Sequence, residues 1–167
     1  IEKDVFEDLA GRVREASENL KIPVTYFEFG TVMAFLYFAE QKVDWSVVEV
    51  GLGSRLDATN LCRAQLSILT SISQDHEKFL GEDITQIAFE KASIIKQNGI
   101  VIADYQEEQV AAVIRLVTQN RNARLFEFKK DFFAEQTFLN QQSQVMAFKG
   151  SGLHLDHLFI PLIGSHQ

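Results

Sequence analysis

The sequence is poor in cysteine and in positive charge, and it has no long apolar run. Its single cysteine, Cys62, cannot form an internal disulfide, so the chain fits a reducing compartment and we expect a cytoplasmic protein. A formal net charge of -7 argues against binding to nucleic acid, whose phosphates require a basic surface. No apolar run approaches the roughly 18 to 20 residues that cross a bilayer, so we expect no membrane partner.

A phosphate-binding loop is also absent. The pattern Gly-x-x-x-x-Gly-Lys-Ser/Thr occurs nowhere in the 167 residues. The run Gly51-Leu52-Gly53 suggests a dinucleotide loop, but Leu56 stands at the third glycine position, which disfavours a nicotinamide-dependent oxidoreductase. The chain opens on Ile1 and closes soon after an apolar stretch, and we interpret it as an excised or truncated domain.

The overall amino-acid composition is typical of a globular protein. Hydrophobic residues make up 46% and charged residues 23% of the sequence. A chain of 167 residues buries one core of ordinary size, so a single domain is the expectation.

Apolar spacing predicts helices that alternate with short buried strands. Residues 3–20 carry apolar side chains at helical spacing, and residues 29–41 are apolar on nearly every side, which predicts a buried helix. Further helices are expected at about 83–97 and around 110–117. The predicted strands are residues 45–50, 66–69, 100–103 and 123–128.

This alternation indicates an α/β fold with a mainly parallel sheet flanked by helices. Residues 144–148 and 153–160, joined by a turn at 149–152, predict a small antiparallel hairpin near the C-terminus.

Two candidate metal ligands follow predicted strands. Glu49 lies near the end of the strand 45–50, where a carboxylate requires a partner such as Mg²⁺; a glutamate turned to solvent or to a lysine is the alternative. His76, next to Asp75, follows the strand 66–69 and is a ligand, a general base or a surface residue. Because the carboxyl ends of parallel strands share one sheet edge, we expect Glu49 and His76 to lie close together.

A third candidate, Lys91, falls on the apolar stripe of its predicted helix, seven residues after Ile84 and four after Ile87. A lysine in this position usually packs its stem and keeps its ammonium in water. The alternative is an amine whose pKa burial lowers, so that it acts as a nucleophile and takes up CO₂ as a carbamate.

The run from Glu49 to Asn60, Glu-Val-Gly-Leu-Gly-Ser-Arg-Leu-Asp-Ala-Thr-Asn, closely resembles the signature of folylpolyglutamate and dihydrofolate synthases, which are relatives of the Mur ligases. Residues 25–31, 69–76 and 89–95 resemble further motifs of that family in order and in spacing. The similarity covers roughly residues 5–100 and is looser beyond them, returning at the Gly-x-His-Gln ending.

The resemblance implies an ATP-dependent ligase that adds L-glutamate to dihydropteroate, to folate or to both. ATP would phosphorylate a carboxylate, and the glutamate amine would attack the acyl phosphate. The residues matching Glu49 and His76 would hold Mg²⁺ at the ATP phosphates, and the lysine matching Lys91 would be carbamylated and help to organise the metals. Contacts with the pterin-bearing substrate are implied for Thr25, Tyr26, Phe27, Glu28, Leu56, Asp57 and Ala58.

The sequence departs from the family at several positions. Ser54 and Ser93 stand where glycine is usual, and Ala64 stands where a proline often follows the signature. Ser54 would be strained if its backbone requires a positive φ. The family's phosphate loop and its glutamate-binding C-terminal domain are both absent, so residues 1–167 are expected to form a partial central domain. This chain alone is expected neither to hydrolyse ATP nor to ligate glutamate. The alternative is a non-catalytic remnant that binds folate or a partner without turnover.

Overall fold

The computed structural model describes residues 1–73, 83–162 and 164. The chain divides into two compact units, Ile1–Cys62 and Arg63–Gln167. Each unit has its own elements, and both carry residues that the sequence marks as candidates for function.

The first unit is built on two helices, α1 (Lys3–Leu20) and α2 (Tyr26–Gln41). They pack through a small core of Leu9, Val13 and Met33. A lysine in the left-handed conformation, Lys21 or Lys42, follows each helix as its C-cap. The prediction of a helix over residues 3–20 is therefore confirmed.

Two other predictions for this unit were wrong. The helix predicted over residues 29–41 is present as part of α2, but its expected burial was wrong. Met33 is its only buried residue, because one face packs on α1 and apolar side chains such as Val32 remain exposed. Residues 45–50 were expected to form a buried strand. They pair with no strand of the described chain, and Val47 is 96% exposed. An extended segment becomes a strand only when a neighbour satisfies its backbone groups.

The second unit contains a parallel sheet of three strands, β1 (Leu66–Leu69), β2 (Ile100–Ala103) and β3 (Arg124–Glu127), in that order. Two helices, α3 (Ile84–Ala92) and α4 (Glu108–Asn120), supply most of its core. The strands and helices predicted over residues 66–128 are thus confirmed, although α3 ends earlier than the predicted position 97. The core consists of Leu69, Ile72, Ile87, Ala88, Ala92, Ile95, Val101, Ala103, Val110, Ile114 and Val117.

An antiparallel sheet follows, made of β4 (Phe132–Leu139), β5 (Gln144–Gly150) and β6 (Leu153–Ile160). The hairpin of β5 and β6 is confirmed, but β4 was not predicted. Gly150 shows why β4 fits beside β5, because a Cβ there would lie 2.5 Å from the Cβ of Phe132. Among the described residues, no helix is both long and apolar enough to cross a membrane.

Candidate functional site

Asp57 organises the loop that carries the Glu49–Asn60 signature. Its carboxylate accepts hydrogen bonds from the backbone N–H of Thr59 at 2.9 Å and of Leu52 at 3.0 Å, and also from the Thr59 hydroxyl. Asp57 is therefore the N-cap of a short 3-10 helix, Ala58–Leu61. Partial burial raises the pKa of Asp57, but these hydrogen bonds outweigh it, so the pKa lies below its ordinary value of 3.8.

A second predicted substrate segment forms the N-terminus of α2. The Thr25 hydroxyl accepts from the Glu28 N–H at 3.2 Å, and the Glu28 carboxylate accepts from the Thr25 N–H and hydroxyl at 2.7 Å each. This is a capping box, and its backbone and hydroxyl hydrogen bonds hold the pKa of Glu28 below 4.5. Thr25 and Glu28 thus bond each other, while the neighbouring Tyr26 is 96% exposed.

These two segments meet at Gly51. A Cβ at this position would lie 2.6 Å from Cζ of Phe27 and 3.0 Å from Oδ2 of Asp57. Only glycine lets the chain pass so close to both side chains. Leu56, which is 84% exposed, and the half-buried Ala58 flank Asp57 in the chain. The structure therefore brings Phe27 and Asp57 together on one surface, which includes solvent-exposed apolar side chains.

Among the positions where the sequence departs from the family, Ser54 has a strained backbone conformation. Its φ is +61°, and it is buried. Gly53, immediately before it, has a φ of +73°. Ser93, in contrast, has an ordinary right-handed φ of −66° and donates its hydroxyl to the Phe89 carbonyl at 2.8 Å. Only the first of these two serines therefore occupies a backbone conformation that favours glycine.

Glu49 is exposed, and no hydrogen bond or ion pair joins it to another described residue. An exposed carboxylate is a chemically suitable oxygen ligand for Mg²⁺. Because residues 45–50 form no strand, however, its position does not follow from a strand end. Asp75 and His76 lie outside the described residues. Within the described part of the chain, no three His, Cys, Asp or Glu side chains are grouped to hold a metal.

Lys91 lies in the last turn of α3 and is half-buried. Ile87, one turn earlier on the same helix face, is fully buried. The C-terminal end of a helix carries a partial negative charge, which favours an ammonium and disfavours a carbamate. A carbamate at Lys91 would therefore require nearby cations.

A family model described as the Mur ligase middle domain matches residues 11–167. The chain belongs to this family. Its expected α/β fold, with a parallel sheet and a C-terminal antiparallel hairpin, is therefore confirmed for a Mur ligase middle domain.

The curated relatives are longer than this chain. It is 34% identical over 160 residues to the folylpolyglutamate synthase of Lacticaseibacillus casei, covering 93% of this chain and 37% of the relative. It is 35% identical over 147 residues to the dihydrofolate synthase/folylpolyglutamate synthase of Mycobacterium tuberculosis, covering 84% and 30%. The resemblance to this family is confirmed, and the chain spans about a third of each relative's length.

Solved structures agree with this assignment. The apo form of the L. casei FPGS superposes with a TM-score of 0.93 at 32% identity, covering 99% of this chain and 42% of that one. A complex of FPGS with AMPPCP and folate superposes with a TM-score of 0.88 at 30% identity, covering 98% and 40%.

The middle-domain fold also contains a feature that the sequence did not reveal. A cavity of about 330 Å³ opens at the carboxyl ends of β2 and β3. Arg115 donates to Glu127 in its wall at 2.7 and 2.9 Å, and Lys130 donates to the same carboxylate at 2.6 Å. Burial raises the pKa of Glu127, but these two partners outweigh it and hold the pKa below 4.5. The Glu127 carboxylate is thus paired with two cations of the same wall.

Proposed function

We propose that this Mur ligase middle domain is part of an ATP-dependent ligase that adds L-glutamate to dihydropteroate or to folate. The observation that carries the proposal is similarity over nearly the whole chain to proteins named folylpolyglutamate synthase, one of them solved with AMPPCP and folate. AMPPCP is an ATP analogue, which supports ATP as the second substrate. Phosphorylation of a carboxylate by ATP, followed by attack of the glutamate amine, is the reaction that this substrate set permits.

Glu49 and His76 are the proposed protein ligands of Mg²⁺. Glu49 supports the proposal through its exposed carboxylate. Bound Mg²⁺ would neutralise charge on the ATP phosphates. Because the sequence lacks a Gly-Lys-Ser/Thr loop, we propose that residues 1–167 form a partial central domain and that the phosphates are held by residues outside it.

Lys91 is the proposed site of carbamylation. Lys91 is half-buried in the last turn of α3, where the helix end opposes a negative charge until metal is present. Carbamylation at Lys91 would therefore depend on the same metal that Glu49 and His76 are proposed to bind.

The proposed surface for the pterin-bearing substrate lies around Gly51. Phe27 and Asp57 meet there, and the exposed Tyr26 and Leu56 offer apolar area for an aromatic ring. Thr25, Glu28 and Ala58 support this surface through the capping box and the 3-10 helix. Such a protein would work in the cytoplasm, where folate and ATP are available.

The test is a ligation assay on the full-length protein encoded by the gene for this sequence. Dihydropteroate and tetrahydrofolate are supplied in separate reactions with ATP, Mg²⁺ and glutamate, and the product is identified by mass spectrometry. Glu49→Gln is compared with Glu18→Gln, which alters an exposed glutamate of α1. We expect Glu49→Gln to lower kcat by about 10²-fold or more and Glu18→Gln to leave it unchanged.

Product from dihydropteroate alone would assign dihydrofolate synthesis, and product from tetrahydrofolate alone would assign polyglutamylation. Binding of folate with no product would instead favour a module without turnover. The 167-residue chain assayed alone is expected to be inactive, and turnover by it near the full-length rate would contradict the requirement for a separate phosphate loop.

A further inference from the structure

The turn that leads into β2 contains the sequence Asn98-Gly99. Asn98 is exposed and has a φ of +57°, in the left-handed region that asparagine tolerates better than most residues. The next residue is glycine for a steric reason, because a Cβ at Gly99 would lie 3.2 Å from the carbonyl oxygen of Lys96. The backbone of this turn therefore favours a residue pair that is chemically labile.

An asparagine followed by glycine is the pair in which the backbone most readily attacks its own side chain. The Gly99 nitrogen, once it has lost its proton, would bond to Cγ of Asn98, and the side-chain nitrogen would take up a proton and leave as ammonia. Water then opens the resulting succinimide at either carbonyl, which gives aspartate or isoaspartate. The reaction needs no oxidant and no cofactor. Of the six asparagines in the sequence, only Asn98 is followed by glycine.

The folded turn opposes this reaction at both reacting groups. The Gly99 N–H donates to the Lys96 carbonyl at 3.1 Å, and a carbonyl oxygen is too weak a base to remove the proton. The Asn98 side chain is also held, because its Oδ1 accepts from Nδ2 of Asn122 at 2.8 Å. The Asn98 N–H donates to the Arg121 carbonyl at 2.9 Å, so its backbone and its side chain are bonded to the same segment after α4.

We propose that Asn98 is a site of deamidation at which the fold controls the rate, and that Asn122 holds the Asn98 side chain in an unreactive position. Both asparagines are exposed, so water reaches the site. Asn122 also has a left-handed φ, of +47°. Each opening of the turn that breaks the hydrogen bond between the two side chains frees Cγ of Asn98 to approach the Gly99 nitrogen. This inference does not depend on the proposed function.

The two products would affect the parallel sheet differently. The Gly99 carbonyl accepts from the Arg124 N–H at 2.9 Å, and the Ile100 N–H donates to the Gln65 carbonyl at 3.0 Å, so the residues after Asn98 connect β2 with both of its neighbours. Isoaspartate adds a methylene group to the main chain just before these bonds, whereas aspartate adds only a negative charge. We therefore expect isoaspartate, but not aspartate, to weaken the start of β2.

The test follows Asn98 by peptide mapping of the full-length protein during incubation at neutral pH, both folded and unfolded in urea. Mass spectrometry detects the change from amide to carboxylate, and an isoaspartate-specific methyltransferase detects isoaspartate. Asn122→Gly keeps the left-handed backbone and removes the side-chain amide. Asn122→Asp keeps the shape of the side chain but cannot donate to Oδ1. Asn120→Asp is the matched control, since Asn120 is exposed and no hydrogen bond joins it to Asn98 in the described part of the chain.

We expect the wild-type protein to deamidate at Asn98 in urea and to react at least about tenfold more slowly when it is folded. Asn122→Gly and Asn122→Asp should each speed the reaction of the folded protein by about 3- to 10-fold, the factor that loss of one hydrogen bond allows. Asn120→Asp should react at the wild-type rate. In urea all four proteins should react equally fast, because the hydrogen bond between residues 98 and 122 does not persist there.

Retention of the Asn98 amide in the unfolded protein would overturn the modification site, and equal rates in the folded and unfolded wild type would overturn control by the fold. An unchanged or slower reaction of folded Asn122→Gly would overturn the role of Asn122, as would an equal acceleration by Asn120→Asp. If Asn122→Gly does not fold, the folded Asn122→Asp variant decides by the same criterion.

Discussion

The ring of Phe27 and the carboxylate of Asp57 converge on Gly51, where a Cβ would lie 2.6 Å from Cζ of the ring and 3.0 Å from Oδ2 of the carboxylate. Phe27 lies in the first turn of α2, and Asp57 caps a different helix thirty residues later in the chain. The glycine between them therefore joins two segments that resemble separate motifs of the folate ligases.

Gly51→Ala should lower the free energy of unfolding by about 1 to 3 kcal/mol, because the new methyl group must displace the Phe27 ring or the Asp57 carboxylate. Chemical denaturation followed by circular dichroism measures the change. Gly30→Ala is the matched control, since its Cβ would meet nothing within 4 Å, and this helix-interior change should stabilise by about 0.5 to 1 kcal/mol. Equal effects of both substitutions would contradict the close packing at Gly51.

Asp57→Ala should lower the free energy of unfolding by about 1 to 2 kcal/mol, because it removes a helix cap and also releases the Leu52 N–H. Asp83→Ala provides the comparison. Asp83 caps α3 and bonds Thr85 in the way that Asp57 bonds Thr59, and no hydrogen bond to a distant loop is found for it among the described residues. We expect the smaller loss, about 0.5 to 1 kcal/mol, for Asp83→Ala. The reverse order would show that Asp57 does not organise the signature loop.

Acid should destabilise the N-terminus of α2 through Glu28. The capping hydrogen bonds lower the pKa of this carboxylate below 4.5, so its contribution to stability is present above that pH and is lost as the pH falls through the folded-state pKa. Unfolding measured from pH 7 to pH 3 should therefore depend less on pH in Glu28→Gln than in wild type. Glu18→Gln should follow the wild-type curve, and coincidence of all three curves would argue against a titrating capping box.

Ser54→Gly should raise the free energy of unfolding by about 0.5 to 1 kcal/mol, because it relieves a side chain held at a φ of +61°. Gly53→Ala creates the same kind of strain one residue earlier, at a φ of +73°, and should destabilise by about 1 kcal/mol. Thermal unfolding compares the two variants with wild type. A stabilising Gly53→Ala substitution would be inconsistent with a left-handed loop at this point.

Lys91 should be required for ligation in its carbamylated form. Lys91→Ala is expected to lower kcat of the full-length protein by about 10² to 10³, the range for loss of one preorganised charge-stabilising group. Lys91→Arg keeps a positive charge but cannot form a stable carbamate, so it should be equally impaired. Near wild-type activity in Lys91→Arg would mean that the residue acts as a cation rather than as a carbamate.

Much of the fold was predictable from local pattern. The helical spacing of apolar residues predicted α1. Short apolar runs between helices predicted β1, β2 and β3, because strands that are buried in a parallel sheet carry continuous apolar side chains. The same rule failed for residues 45–50, which have the composition of such a strand but no neighbour to pair with in the described chain. Pairing is a property of the whole fold, and composition alone does not contain it.

The candidate site, like the fold, was predictable from the sequence only in part. The sequence by itself determined the family, through the motif that begins at Glu49. It also determined that Lys91 lies on the same helix face as the buried Ile87, through the 3.6-residue repeat of the helix. Only the tertiary structure decided that Phe27 and Asp57 meet at Gly51 and that Ser54 is held at a positive φ. These contacts join residues far apart in the chain or depend on how a loop closes, and side-chain spacing carries no information about either.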